Sequence, residues 1–414
     1  MIDSKLILSD KEYVKRELEK KGYAAKYIDI AESVMLEIRS QKTKINELCR
    51  KRNELGEDKT VPPDEMRKLR KRISNAQKDL RSHENFAQTL LYTMPNFPDA
   101  AAPIGLGASD NIVVFESSDY HRCQSANPAP HWDIAEKLDI LDIECASRMS
   151  GSRFGLFKGK GAKLLRSLVN YCMAQHEGKY SEILPPHLVS TSTLVHSGHL
   201  PKFADEQYKC ENDDLWLIPT AEAPMTAAFA GTVFPAGALP KYYMGYTLAF
   251  RRETGATGKE TRGLQRIHEF HKVELLKIVE PPTVNAELED LLGDCLRIIR
   301  DLKLQYRVVD LCTGDMGDKY ARCYDIEVYS PGVKKWLEVS SVGHFSDYQA
   351  RRAGIGFVDE NGKKRTAYTI NGSGVATARV WLSIIESYQQ PDGSVLVPEV
   401  LRPLMGCDRI CQAD

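Results

Sequence analysis

Four arginines crowd one short stretch of this 414-residue chain: Arg251, Arg252, Arg262 and Arg266 lie within AFRRETGATGKETRGLQRIHEFHKVEL, residues 249–275. Guanidinium groups are planar forks of N–H donors that match phosphate and carboxylate oxygens, so such a cluster suits a small polyanion. No GxxxxGK[ST] occurs, and the glycine-bearing runs KGKGAK and NGSGVATAR match no dinucleotide fingerprint. A chain that handles a nucleotide without a glycine cradle must grip its phosphates with side chains. Beyond the arginines, Phe270 and Glu274 stand four apart on an alternating run and so share one face of a strand. Taken alone, these residues keep plainer readings. Arg251 and Arg266 could pair with surface acids, Glu274 could be a solubility charge on a hairpin edge, Phe270 could be core, and Asn371 with Ser373 could cap a helix.

The elements that must position them follow from periodicity. KYYMGYTLAF and HEFHKVELLKIV alternate as strands, and RCYDIEVYS and KKWLEVSSVGHF are strands around the hairpin signal PGV. YSEILPPHLV reads as a strand ending at prolines. AKLLRSLVNYCMAQHEG, AELEDLLGDCLRIIRDLKL and GVATARVWLSIIESYQ have helical spacing. Hairpins with helices between them predict an α+β domain built on an antiparallel sheet.

The N-terminal part is different. Ala31, Val34, Ile38, Gln41, Ile45, Leu48, Arg52 and Leu55 form a heptad seam, and a second runs from Met66 through Leu69, Ile73, Ala76, Leu80, His83, Ala87 and Leu90 to Met94. Gly56 and the Pro62–Pro63 pair separate them, with Asp64 placed to cap the second helix. Two such seams predict an antiparallel hairpin roughly 40 Å long, with one further short helix over residues 10–22 at its base. Residues 39–81 hold 14 Lys/Arg against 7 Asp/Glu, +7, so the rest of a chain of net charge −1 carries −8. A basic projection suits a polyanionic partner, and it also suits a solvated coiled-coil face. MPNFPDAAAPIGLGASDN reads as the linker, dividing a helical arm domain (1–100) from a catalytic domain (101–414).

These segments together resemble a known family. The arginine-rich stretch resembles motif 2 of the class II aminoacyl-tRNA synthetases, in the form typical of the seryl enzymes. EILPPHLV resembles motif 1 and NGSGVATARVWLSIIESYQ motif 3, while IPTAEAPMT, DIEVYSPGVKKWLEVSS, PHWDIAEKL, SGSRF and VPEVLRP match the same enzymes. The resemblance covers the whole chain and implies the class II sheet flanked by helices, preceded by a coiled-coil arm that lies on tRNA. It implies ATP-dependent activation of L-serine and transfer to the 3′ end of tRNA(Ser), with tRNA(Sec) a further substrate, in a cytoplasmic homodimer. Arg251 would meet the α-phosphate and the serine carboxylate, Arg379 the γ-phosphate, and Glu253 the adenine edge on which Phe270 stacks. Arg252, Arg266, Val339 and Ser340 would complete the ATP site. Thr220, Glu222, Glu274, Asn371 and Ser373 would form the serine pocket. Glu338 and Ser341 would meet ATP and Mg²⁺. Serine carboxylate is already a nucleophile, so alignment and charge neutralisation carry the catalysis. Two departures stand out: SSVGHF, with Gly343 and His344, replaces a pattern such as SSCSNF, and the arm is shorter than in bacterial-type relatives by about a heptad per helix.

Composition narrows the alternatives. No apolar run approaches the ~20 residues of a membrane span. The start, MIDSKLILSDKEYVK, does not read as a targeting peptide. Ten scattered cysteines without a CxxC pair suggest reduced thiols and no zinc site. A relative loading another carrier would be expected to lack the basic arm, and a non-catalytic relative would lose Arg251, Glu338 or Arg379. A class II enzyme for another amino acid is opposed by the TAE stretch with Glu274.

Overall fold

Burial along the N-terminal helices follows the heptad seams residue by residue. The computed structural model describes residues 1–57, 62–254 and 262–412, and the chain divides into two compact units, Met1–Phe97 and Pro98–Asp414. The first unit holds α1 (Ser4–Ser9), α2 (Lys11–Glu19), α3 (Lys26–Glu57) and α4 (Pro63–Thr93). Ala31 and Ile45 on α3 and Leu69, Ile73 and Ala87 on α4 are buried. Gln41 Nε2 comes within 3.4 Å of His83 Nδ1 and Lys42 pairs with Glu84 at 2.8 Å, which fixes an antiparallel register. With 32 and 31 residues, each helix runs about 48 Å, longer than the heptads alone suggested.

Local chemistry sets the ends. Pro63 opens α4, where its missing N–H costs nothing. Asp64 is not the cap: Pro62 holds that position without a side-chain bond, and Asp64 and Glu65 sit in the first turn, where the helix dipole favours acids. Residues 58–61, where the sequence places the turn, lie outside the described residues. Two short helices, not one, precede the hairpin, because the Asp10 side chain accepts from Tyr13 N–H at 3.1 Å and starts a new helix. A two-helix hairpin has no core of its own. Ile2, Ile7, Val14, Leu18, Ile28, Ala31, Leu91 and Met94 supply one at the base, each large apolar side chain contributing about 1.5–3 kcal/mol on burial.

The second unit is built on eight strands: β1 (Ile112–Glu116), β2 (Ser181–Glu182), β3 (Lys241–Phe250), β4 (Glu269–Val279), β5 (Tyr306–Asp310), β6 (Arg322–Ser330), β7 (Lys335–His344) and β8 (Tyr368–Ala376). Their order in space is β1-β5-β6-β7-β8-β4-β3-β2. Neighbours are antiparallel except β2, which adds parallel to β3. The expected strand through YSEILPPHLV is split at Pro185 and Pro186, which have no N–H to give a ladder: Ser181–Glu182 joins the large sheet, and Leu188–Ser190 pairs instead with Leu215–Leu217. Helices α5 (His131–Lys137), α6 (Gly159–His176), α7 (Glu222–Ala227), α8 (Val284–Asp301) and α9 (Thr377–Ser387) complete the frame. On α8, Val284, Leu288, Leu291, Cys295 and Ile298 repeat every three or four residues and bury one stripe. They join Leu164 and Leu168 of α6 and Val380, Trp381 and Ile384 of α9 against Val273, Leu275, Val328 and Val342 of the sheet in one core. The opposite face of the central strands is left for a ligand. Among the described residues no helix is long and apolar enough to cross a membrane.

Two bulges re-aim this open face. Glu327 pairs with Glu338 and Ile326 with Ser340, leaving Val339 as an extra residue on β7. Ser373 pairs with Glu274 and Val375 with Val273, leaving Gly374 extra on β8. Asn371 and Ser373 therefore lie inside a strand. They do not cap α9, whose cap position is Ala376 without a side-chain bond.

Candidate active site

A cleft of about 360 Å³ opens over β4, β7 and β8. Twelve of the expected residues line it: Thr220, Glu222, Arg251, Glu253, Arg266, Phe270, Glu338, Val339, Ser341, Asn371, Ser373 and Arg379. Three do not. Ser340 turns to the core side, where its hydroxyl donates to the Ser373 carbonyl at 2.7 Å. Arg252 is exposed, its guanidinium donating to the Asp205 carbonyl at 3.3 Å. Glu274 is wholly buried beneath the cleft floor, so it is neither an edge charge nor a cleft-lining group. Residues 255–261 of the arginine-rich stretch lie outside the described residues.

The floor is a closed polar cluster. Glu274 accepts from the Thr220 hydroxyl at 2.8 Å, from the Asn371 amide, and from Lys272 Nζ at 2.5 Å. Lys272 also donates to Thr220 Oγ1 at 3.0 Å. Alternation in β4 puts Phe270, Lys272 and Glu274 on one face, so Lys272 was legible from its place between two expected residues. Beside this floor Glu222, at the start of α7, is buried and held from both sides: Lys319 Nζ reaches its two oxygens at 2.6 and 2.7 Å, and Gln349 Nε2 donates at 2.6 Å. Lys319 and His199 also line the cleft and carried no sequence signal, since each sits in irregular chain far from any motif. Burial first, then the charges of Lys319, Arg251 and Lys272, push the His199 imidazole well below its usual range, so it faces the cleft neutral.

The upper wall is cationic. Arg251 is fixed by Nε donating to the Pro219 carbonyl at 3.3 Å and lies 5.2 Å over the Phe270 ring. Arg379 donates to the carbonyls of Gln265 at 3.1 Å and Glu338 at 2.7 Å, and its guanidinium is 3.7 Å from the Glu338 carboxylate. Arg266 pairs with Glu253 at 3.3 Å, so part of the plain ion-pair reading holds for it. Glu253 has φ +49°, a left-handed conformation that costs a non-glycine residue energy and turns the chain sharply after Arg252.

Glu338 and Ser341 are three apart and would face opposite ways on a regular strand. The Val339 bulge brings both to the cleft, where Ser341 Oγ donates to Glu338 at 3.1 Å. Burial works to raise the Glu338 carboxyl, but Arg379, Arg251, the Ser341 hydroxyl and Lys272 outweigh it and hold it below the usual carboxylate range. Directly opposite Ser341 in register is Asp325, an acid that the sequence reading missed. Its Oδ1 is buried without a hydrogen-bond partner, and burial followed by the Glu338 charge pushes its carboxyl well up. Among the described residues no cluster of three or more His, Cys, Asp or Glu could hold a metal ion alone.

The SSVGHF departure has a local cause. A Cβ at Gly343 would fall 2.5 Å from Tyr320 Cδ1 and 2.6 Å from the Arg322 carbonyl, so the Tyr320 ring fills the space a small polar side chain would need. His344 is buried, with Nε2 3.5 Å from Asp99, and packs behind the cleft instead of lining it.

An antiparallel sheet whose open face carries two arginines, a bulged carboxylate strand and a buried polar floor defines a class II aminoacyl-tRNA synthetase core. Residues 207–388 match the family model of the tRNA synthetase class II core domain (G, H, P, S and T). The chain belongs to the serine–tRNA ligase family: it is 41% identical to the Serine–tRNA ligase of Dehalococcoides mccartyi, over 99% of this chain and 100% of that one. Its fold superposes on the seryl-tRNA synthetase from Pyrococcus horikoshii complexed with ATP with a TM-score of 0.91, at 30% identity and full coverage of both chains. A more distant fold neighbour is the M. kandleri SerRS solved in complex with A. aeolicus tRNASec (TM-score 0.59, 16% identity, 83% of this chain and 70% of that one). The chain is thus a ligase that activates serine with ATP and joins it to tRNA.

Proposed function

We propose that both half-reactions run in the cleft over β4, β7 and β8. The observation that carries this is the convergence of Arg251, Glu338 and Arg379 above the Thr220–Glu274–Asn371 floor. Serine sits with its hydroxyl and ammonium toward Thr220, Glu222, Asn371 and Ser373. Glu274 acts from below by fixing the Thr220 and Asn371 side chains, with Lys272 as its ion-pair partner. A buried polar pocket of this kind rejects alanine strongly, because its groups would go unpaired. Arg251 steers the serine carboxylate onto the α-phosphorus of ATP. The new P–O bond forms as the bond to the bridging oxygen breaks, and pyrophosphate leaves. Arg379 and Arg266 neutralise the phosphates, while Phe270 and Glu253 receive the adenine. In the second half-reaction a terminal ribose hydroxyl of tRNA attacks the seryl carbonyl and AMP leaves.

Glu338 and Ser341, with the unpartnered Asp325 oxygen, are an all-oxygen donor set that fits Mg²⁺. Two carboxylates and a hydroxyl make less than a full cage, which suits an ion that keeps waters and phosphate oxygens. When bound, it would neutralise charge on the triphosphate.

We further assign the basic hairpin of α3 and α4 to tRNA(Ser), and extend the substrate range to tRNA(Sec), with the enzyme working in the cytoplasm. Basic charge on the hairpin supports phosphate contact. The second copy of a homodimer would cover β1. This edge strand is exposed along its length, with Ile112, Val113, Val114 and Phe115 at 47–52%, and such an edge is rarely left open to water. The primary test is ATP–pyrophosphate exchange with each of the twenty amino acids, for the wild type and Arg379→Ala. Serine alone should support exchange, and the variant should lose it. Exchange driven by another amino acid overturns the pocket assignment.

A further inference from the structure

PHWDIAEKL belongs to the family pattern, yet none of its residues lines the cleft. Its first three helical side chains instead meet the return end of the arginine-rich loop. His131 Nε2 accepts from Leu264 N–H at 3.0 Å. The Trp132 ring lies 4.9 Å from the Arg262 guanidinium, and Asp133 is 3.9 Å from the same group. Between the two contacted residues Gly263 takes φ +72°, and a Cβ there would stand 2.2 Å from His131 Nε2 and 2.7 Å from Trp132 Cε3. The loop backbone is thus pressed onto the start of α5 as only glycine allows.

His131 is itself locked. Glu386 on α9 is fully buried and accepts from His131 N at 2.9 Å and from His131 Nδ1 at 2.8 Å. Its other oxygen accepts from Gly332 N at 2.9 Å, from Val333 N at 3.3 Å, and from the Ser330 hydroxyl. A backbone N–H can only donate, so Nε2 must carry the lone pair and Nδ1 the proton. The turn between β6 and β7, α9, α5 and the loop are therefore tied through one imidazole. The next loop residues reach the cleft: the Gln265 carbonyl accepts from Arg379, and Arg266 pairs with Glu253.

We propose that His131 and Trp132 are positioning residues for ATP. They hold Leu264–Arg266 in place, so that Arg379 and Arg266 stay aimed at the phosphates, without touching substrate themselves. This rests on the assignment of ATP to the cleft. The test is pyrophosphate exchange on the full chain, with KM measured separately for ATP and serine. Trp132→Leu removes the cation–π contact and should raise KM for ATP about two- to fivefold, leaving KM for serine unchanged. Trp132→Phe keeps a ring face and should stay near wild type. Gly263→Ala, which forces the loop off α5, and His131→Asn, which keeps a donor toward Glu386 but loses the acceptor for Leu264, should raise KM for ATP by about fivefold or more. Wild-type KM for ATP in both Trp132→Leu and Gly263→Ala overturns the proposal, as does a parallel rise in both KM values. Should His131→Asn fail to fold, the Trp132 pair decides. Arg379→Ala in the same assay separates the two levels: normal exchange there would sink the ATP assignment, whereas its loss beside normal Trp132→Leu and Gly263→Ala would sink only the clamp.

Discussion

Lys272→Met should harm the fold nearly as much alone as together with Glu274→Gln. Glu274 is fully buried and Lys272 nearly so, with the ammonium 2.5 Å from the carboxylate. Removing Lys272 leaves a buried carboxylate with two neutral donors, Thr220 and Asn371. Removing Glu274's charge leaves an ammonium at the cleft floor and three donors facing an amide. Breaking a buried pair from one side costs about 3–5 kcal/mol. Water in the cleft reaches Lys272, so each single variant should fall near the low end, about 3 kcal/mol. If the contributions were independent, the double variant would lose about 6 kcal/mol. Because the second change removes the stranded charge, we expect a loss nearer 3 kcal/mol, and thus a coupling of about 3 kcal/mol. Urea denaturation followed by tryptophan fluorescence reads this directly, since Trp132, Trp216, Trp336 and Trp381 all lie in the second unit. Serine KM should be high in the double variant as well, since Thr220 and Asn371 lose their carboxylate acceptor. Additivity within about 0.5 kcal/mol would refute a paired floor.

Acid should weaken the same unit through His176. Burial drives its pKa down to about 4, against an ordinary value near 6.5, and its Nε2 has no partner. Between these values the unfolded chain holds the extra proton, so stability falls as pH drops from 6.5 toward 4, by about 2 kcal/mol at pH 5. His176→Leu should flatten that slope in melts at pH 7 and 5; an unchanged slope would assign the acid sensitivity elsewhere. Joining Glu37 to Ala87 by a short Gly/Ser link removes most of the hairpin yet keeps the apolar base of Ile2, Ile7, Val14, Leu18, Ile28 and Leu91. This variant should exchange pyrophosphate normally and fail to charge tRNA(Ser) or tRNA(Sec), and equal loss of both activities would mean the hairpin is not a tRNA reader.

The heptad seams were legible because every seam position recurs at steps of three and four, and burial needs nothing else. The strands KYYMGYTLAF and HEFHKVELLKIV were legible from alternation, and with them the shared face of Phe270 and Glu274. What alternation could not give was depth: Glu274 sits below the floor because Lys272 and Thr220 close over it. It also could not place Asp325 beside Ser341, which takes a register and a bulge that leave no mark in residue type. Lys319 and His199 come from irregular chain whose path is set by tertiary contacts. Asn371 and Ser373 looked like cap residues because polar side chains before a helix usually are. Here Gly374 lengthens the strand past them.

The extra residue at Val339 has a further consequence. Conservative exchanges at that site would alter little, since its role is to occupy one place in the count. Deleting it would leave Glu338 and Ser341 two apart and still on one face, whereas giving it a partner, by one added residue between Ile326 and Glu327, would restore ordinary pairing and turn Glu338 through to the hydrophobic side while Ser341 stayed where it is. For this part of the molecule the count of residues on the two facing strands matters more than their type, and a frame-preserving gain of a single codon on β6 would do what few substitutions could.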